Sequence, residues 1–186
     1  MVRADLGLDP WDVFHQGLSE RTGISLGMMV NLVGAIVLLL WIPIRQRPGI
    51  GTIANVFLIG TVADISLWLL PTINDLPLQV AMLVGAVLLN GIATGAYIGA
   101  GLGPGPRDGL MTGLVKRTGG SVKVIRTGIE IAVLAAGWML GGTVGVGTVL
   151  YAIAIGPIVH RTLPLFTIRA KDVEAAVPSD CLPQRG

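Results

Sequence analysis

The sequence predicts an all-α polytopic membrane protein, and composition and charge distribution support that prediction. Of its 186 residues, 52% are hydrophobic and 13% are charged, about half of the ~25% charge that soluble domains carry. The stretches 76–106 and 131–160 contain no Asp, Glu, Lys or Arg, and ~20 apolar residues are enough for a helix to cross a bilayer. With a net charge of only +2, the composition argues against a soluble enzyme and against a nucleic-acid-binding protein.

Five apolar segments are predicted to span the bilayer as helices, because backbone polar groups in lipid must pair within their own segment. Two short amphipathic helices are expected between them. We expect one transmembrane domain over residues 1–166, followed by a polar cytoplasmic tail, 167–186, which contains the single cysteine, Cys181. The predicted spans are Leu26–Ile44, 50–70, 78–100, 122–141 and 146–165.

An internal repeat divides this domain into repeat one, 1–71, and repeat two, 77–166. A shift of 96 residues aligns 7–25 with 103–121 without a gap. Matched polar and turn residues in one register are a stronger signal than apolar similarity between two helices. The matches are Pro10 with Pro106, Asp12 with Asp108, Gly17-Leu18 with Gly113-Leu114, and Arg21-Thr22-Gly23 with Arg117-Thr118-Gly119.

Each repeated segment predicts a short helix. In the first copy Asp9 is expected to cap the helix and Pro10 to occupy its first position, with Asp12 favoured by the helix dipole at the third. Gly23 is expected to end the helix in a left-handed turn. The second copy places Gly105 at the cap and Gly119 at the end.

Lys and Arg set the predicted orientation, because basic loops lie on the cytoplasmic side. With five spans, most of them fall on one side, together with the C-terminus, and the N-terminus lies outside. The two repeats are then inverted, as in many transporters, and Trp41, Trp68 and Trp138 are expected at the membrane interfaces. The basic side contains Arg45, Arg47, Arg107, Lys116, Arg117, Lys123, Arg161, Arg169, Lys171 and Arg185.

Several motifs resemble the YczE/YyaS/YitT-like family of bacterial integral membrane proteins, over residues 3–163. The resemblance implies a location in the bacterial cytoplasmic membrane and implies no particular substrate or reaction. The family pattern has a leading span that this chain lacks, so we expect a full-length protein of six spans, three in each repeat. The motifs are Pro10-Trp11-Asp12-Val13, Gly51-Thr52-Ile53-Ala54-Asn55, Ile59-Gly60, Gly105-Pro106-Arg107-Asp108-Gly109-Leu110-Met111 and Gly147-Thr148-Val149.

Ionisable side chains within the predicted spans are candidate functional residues, because inserting them costs about 2.5–3.5 kcal/mol each. Arg126 and Glu130 are four residues apart, so they either form a gated pair on a proton or substrate path or neutralise each other where the helix meets the interface. Asp64 aligns with His160 across the repeat. These two either relay protons or lie near enough to an interface to be solvated.

Polar residues near the repeated turns form the second candidate group. Arg107 and Asp108 begin the second short helix, where free N–H groups favour an anion. With Asp12 they form either symmetry-related gates or, alternatively, two helix-capping groups and a headgroup anchor. Asn55 follows the repeated Gly-Thr turn, and its amide either links helices or contacts a substrate.

These features predict a small transporter or permease-like protein of unknown small-molecule substrate. The alternative is a non-transporting scaffold or regulator that acts through a partner. No motif of a catalytic, metal or nucleotide site is present, so we expect no enzyme activity, no cofactor and no metal. The lipid bilayer is the expected partner, and glycines spaced four apart could pair copies of the chain as a homo-oligomer.

Overall fold

A computed structural model describes residues 1–101 and 103–166, and these residues form helices joined by short connections. The predicted polar tail, with Cys181, lies outside the described residues. A 3-10 turn at Val2–Ala4 precedes the first α-helix. The α-helices are α1 (Pro10–Thr22), α2 (Leu26–Leu39), α3 (Trp41–Ile44), α4 (Ile50–Leu69), α5 (Leu76–Gly99), α6 (Pro106–Thr118), α7 (Val122–Met139) and α8 (Val146–Phe166).

Four stretches of helix within the described ranges are long and apolar enough to cross a membrane: Leu26–Ile44, Ile50–Leu69, Leu76–Gly99 and Val146–Phe166. They match four of the five predicted spans. The other predicted span, 122–141, does form a helix, α7. It carries Lys123, Arg126 and Glu130 in its first half, so its charge content is higher than that of the other four.

The local structure of the two short helices is confirmed. The carboxylate of Asp9 accepts hydrogen bonds from the backbone N–H groups of Trp11 and Asp12, and Pro10 is the first residue of α1. Gly23 ends α1 with φ of +73°, and Gly119 ends α6 with φ of +67°. The left-handed conformation at both positions favours glycine.

Close helix packing uses glycine. Gly27 of α2 and Gly60 of α4 face each other so closely that a Cβ built on either would lie about 2 Å from the other's carbonyl oxygen. On α5, the stripe Gly91, Gly95 and Gly99 packs against α8. This predicted small-residue face is therefore covered within the chain.

Contacts between the two halves occur in matching pairs: a contact made by one half is also made by the equivalent residues, 96 positions away, of the other half. Gly7, with φ of +113°, lies against Gly145 and Thr148, and a Cβ built on it would be 2.7 Å from the Gly145 nitrogen. With the halves exchanged, Gly103, with φ of +115°, lies against Gly49 and Thr52.

The C-terminal ends of the two short helices make a second matching pair of contacts between the halves. In the last turn of α1, Arg21 donates to the carbonyl oxygens of Leu140 and Met139, at 3.0 and 3.2 Å. In the last turn of α6, Arg117 donates to the carbonyl oxygen of Pro43 at 2.5 Å. Because Pro43 and Met139 are 96 residues apart, each short helix is bonded to the end of the other repeat's helix.

Trp41, expected at a membrane interface, is packed inside the protein and does not face lipid headgroups. Its side chain is 1% exposed, and its indole N–H donates to the Pro106 carbonyl oxygen at 3.1 Å. The ring fills the space over Gly109, where a Cβ would overlap it. A tryptophan can therefore be buried here because α6 has a glycine opposite it, whereas Trp68 and Trp138 are 84% and 69% exposed.

Candidate functional site

The N-terminal ends of α1 and α6 meet at a guanidinium group. One terminal nitrogen of Arg107 lies 3.5 Å from a carboxylate oxygen of Asp9, and the other lies 3.9 Å from a carboxylate oxygen of Asp12. The Arg107 guanidinium carbon is 5.3 Å from the centroid of the Trp11 ring, within the range of a cation–π contact. We call Asp9, Trp11, Asp12, His15 and Arg107 the central cluster.

Asp9 is the most buried acid of the central cluster, with 3% of the residue exposed. Its position is fixed because the same oxygen caps α1 and faces Arg107. Burial, and next the charge of Asp12, raise the pKa of Asp9, while Arg107 opposes that shift. Asp9 is therefore the carboxyl group in the cluster that is closest to taking up a proton at neutral pH.

Asp12 and His15 lie on one face of α1, with His15 Nδ1 3.3 Å from a carboxylate oxygen of Asp12. The His15 side chain is 3% exposed. Burial lowers the pKa of His15, and the Asp12 carboxylate opposes that effect. Burial would also disfavour charge on Asp12, but the His15 hydrogen bond and the Arg107 charge hold the Asp12 pKa below its ordinary value.

Further polar groups, from both repeats, lie near Arg107 and the start of α6. The phenol of Tyr97, on α5, donates to a carboxylate oxygen of Asp108. The side-chain nitrogen of Asn55, on α4, is 3.8 Å from where a Cβ of Gly105 would lie. The phenol of Tyr151, on α8, lies 3.5 Å from the Asn90 amide oxygen and interacts electrostatically with Asp9 and Arg107.

The structure thus brings together four of the eight candidate residues that the sequence analysis named. Arg107 and Asp12 belong to the central cluster, and Asp108 and Asn55 lie at the start of α6 beside it. Arg107 and Asp108, expected to act as neighbours, have different partners: Arg107 faces Asp9 and Asp12, and Asp108 faces Tyr97.

The other four candidates lie elsewhere, and one of them, His160, is exposed on α8. Asp64 accepts hydrogen bonds from the Ser25 hydroxyl at 2.5 Å and the Gly27 N–H at 2.7 Å, which are the contacts of a helix cap. Arg126 and Glu130 form the expected pair at 3.0 Å on α7, with side chains 52% and 40% exposed. An exposed pair of this kind contributes little to stability.

Sequence reasoning assigned Asp9 only a capping role and left out His15. The contact of His15 with Asp12 could have been predicted, because residues three apart on a helix share a face and the sequence reads Asp12-Val13-Phe14-His15. The pairing of Asp9 with Arg107, 98 residues away, could not be predicted from the sequence, since it depends on how the two halves pack.

The cluster supplies a guanidinium facing two carboxylates, with an imidazole behind one of them. It can therefore bind a proton, or a cation in exchange for Arg107, or an anion beside Arg107. Within residues 1–101 and 103–166, no three His, Cys, Asp or Glu side chains are placed to hold a metal ion.

Comparison with known proteins gives relatives in bacteria. The chain is 38% identical over 160 residues to an uncharacterized protein of Haemophilus influenzae, covering 86% of this chain and 73% of the relative. It is 37% identical to the uncharacterized membrane protein YczE of Bacillus subtilis, covering 74% of that protein. It is 27% identical to the uncharacterized protein YyaS of the same organism, covering 84% of it.

The resemblance drawn from the motifs is thereby confirmed, and no solved structure matches the chain. The likeness to a membrane protein, together with several long apolar helices, identifies a multi-pass membrane protein. A family model described as a family of unknown function, DUF6198, matches residues 1–164. The chain therefore belongs to the DUF6198 family.

Proposed function

We propose that this protein is a small transporter of the bacterial cytoplasmic membrane, built from two inverted repeats that meet at the central cluster. The observation that carries the proposal is the charged contact of Arg107 with Asp9 and Asp12, which joins the two halves inside an apolar domain. Ionisable groups buried inside membrane proteins are costly and often mark substrate or ion paths, and Asp9 is only 3% exposed.

Contacts at the helix ends support the inverted arrangement. The last turn of α1 leads into α2 and is bonded to the residues that follow α7, through Arg21 and Leu140. The last turn of α6 leads into α7 and is bonded to the end of α3, through Arg117 and Pro43. Equivalent helices then start from opposite ends of the molecule, which is the geometry of transporters with inverted repeats. In this arrangement α7 crosses the bilayer as the fifth span.

The chemistry of the cluster supports a proton-linked cycle. Arg107 belongs to one half, and the carboxylates it faces belong to the other. A proton or a cationic substrate that neutralises Asp9 or Asp12 weakens the contact between the halves, and loss of that ligand restores it. Such a two-state contact between halves is what alternating access requires.

Flux measurements in liposomes test the proposal. The purified full chain is reconstituted with a pH-sensitive dye inside the vesicles, and organic cations, organic anions and neutral solutes are added in turn. We expect one class to drive proton movement, and we expect Arg107→Gln to abolish it while Arg161→Gln, a change at an exposed position on α8, preserves it. Correctly folded protein that moves neither protons nor any solute would overturn the proposal.

A further inference from the structure

A second polar feature lies at the end of the molecule where α3 and α6 terminate, away from the central cluster. A cavity of about 380 Å³ is lined there by Pro43, Ile44, Arg45, Lys116 and Arg117. Pockets for small ligands are on the order of 300–1,000 Å³, so this one is large enough for a small anionic group.

The cavity is strongly basic. Three of its five lining residues are cationic and none is acidic. None of the ion pairs within the described ranges involves these three cations, so their charges converge without a carboxylate to neutralise them. Arg117 is held in place by its hydrogen bond to the Pro43 carbonyl, while Arg45 adopts a left-handed backbone with φ of +54°, which is unusual for a residue with a side chain.

Apolar side chains adjoin this basic cavity in the sequence. Ile42, directly before the lining residues, is 72% exposed, and Leu39 is 62% exposed. Both belong to the apolar segment Leu26–Ile44, which can span a membrane. Cations at the end of such a segment, next to exposed aliphatic side chains, match the two parts of a lipid: a charged headgroup and its acyl chains.

We propose that the cavity between α3 and α6 binds the phosphodiester headgroup of an anionic phospholipid. The guanidinium of Arg45 and the ammonium of Lys116 supply donors to phosphate oxygens, as basic pockets between membrane helices do. The site is separate from the proposed transport function and does not depend on it.

Native mass spectrometry of the full chain in detergent tests the site, with phosphatidylglycerol and phosphatidylcholine of identical acyl chains as probes. The variant is the double change Arg45→Gln and Lys116→Gln, which leaves the Arg117 hydrogen bond intact. The control is Lys123→Gln with Arg161→Gln, which removes the same charge at exposed positions that do not line the cavity.

We expect wild type to retain phosphatidylglycerol in preference to phosphatidylcholine. At about fivefold for each removed cation, the double variant should lose about 25-fold in affinity for phosphatidylglycerol, and the control should lose much less. Equal losses in variant and control would overturn the proposal. So would displacement of the lipid by millimolar inorganic phosphate, which would show a site for the free anion. Thermal unfolding without lipid, unchanged in the double variant, verifies that the comparison is between folded proteins.

Discussion

Arg107 and Trp11 occupy equivalent positions in the two repeats, 96 residues apart, and they contact each other: the guanidinium carbon lies 5.3 Å from the ring centroid. In a molecule with two-fold internal symmetry, equivalent residues meet only near the axis. The contact therefore supports a symmetry axis through the central cluster, and it places the one cation of the cluster where both halves reach it.

Replacing Arg107 tests the junction between the halves. Arg107→Gln leaves Asp9 and Asp12 facing each other without a cation, and we expect the free energy of unfolding to fall by about 2 kcal/mol. This is less than the 3–5 kcal/mol of a fully buried pair, because the Arg107 side chain is 38% exposed. Thermal unfolding in detergent measures the change. Arg107→Lys, which keeps the charge, should lose about half as much, and equal losses in both variants would count against the ion-pair explanation.

The protonation of Asp9 predicts a pH dependence of stability. Burial and the charge of Asp12 raise the pKa of Asp9 to about 7, whereas the unfolded value is about 3.9. Between these values the folded protein binds more protons than the unfolded chain, so the Asp9 contribution to stability is complete below pH ~4 and is lost as the pH rises to about 7.

Asp9→Asn isolates that contribution, because asparagine still caps the helix but does not titrate. The comparison is needed since burial lowers the pKa of His15, whose contribution has the opposite sign. We expect the stability of the variant, relative to wild type, to increase from pH 4 to about pH 7 and to level off above that pH. Chemical denaturation across that range measures it, and parallel pH profiles of variant and wild type would refute the assignment.

The exchanged glycine contacts predict matched effects in the two halves. Gly7→Ala and Gly103→Ala each place a Cβ within 2.9 Å of the other repeat's atoms at φ above +110°, and we expect each to destabilise by more than 2 kcal/mol. Gly23→Ala is the control, since φ there is +73° and nothing lies within 4 Å, so only the conformational cost of about 1 kcal/mol applies. Thermal unfolding measures all three variants. If either Gly7→Ala or Gly103→Ala destabilises the protein no more than Gly23→Ala does, the two glycines do not have equivalent roles in the two halves.

Substitutions of Asp64 distinguish a helix-capping role of this residue from a role in transport. Because its carboxylate caps α2 through Ser25 and Gly27, Asp64→Ala should cost about 1–2 kcal/mol of stability. Asp64→Asn, which keeps an acceptor, should cost less and leave flux unchanged. Loss of flux in the folded Asn variant would instead place Asp64 on the transport path.

Sequence patterns predicted what is local and what is periodic. The caps at Asp9 and Gly23 follow from residue type and neighbours, and four of the spans follow from apolar length. The ionic partners of Arg107 were not predictable. In the sequence its nearest acid is Asp108, whereas Asp9 lies beside it only because the two halves pack together. The burial of Trp41 was not predictable for the same reason, since the space that accepts its ring is left by Gly109, 68 residues later in the chain.

The inverted arrangement of the two halves is tested most directly by labelling one equivalent pair from one side of the membrane. Thr22 and Thr118 are 96 residues apart, and both are exposed in the last turn of their short helices. In a Cys181→Ser background, Thr22→Cys and Thr118→Cys are treated in intact cells with a membrane-impermeant maleimide. Opposite orientation predicts labelling at position 22 from outside, and labelling at position 118 only after the membrane is permeabilised. Labelling of both positions from the same side would rule out inverted repeats.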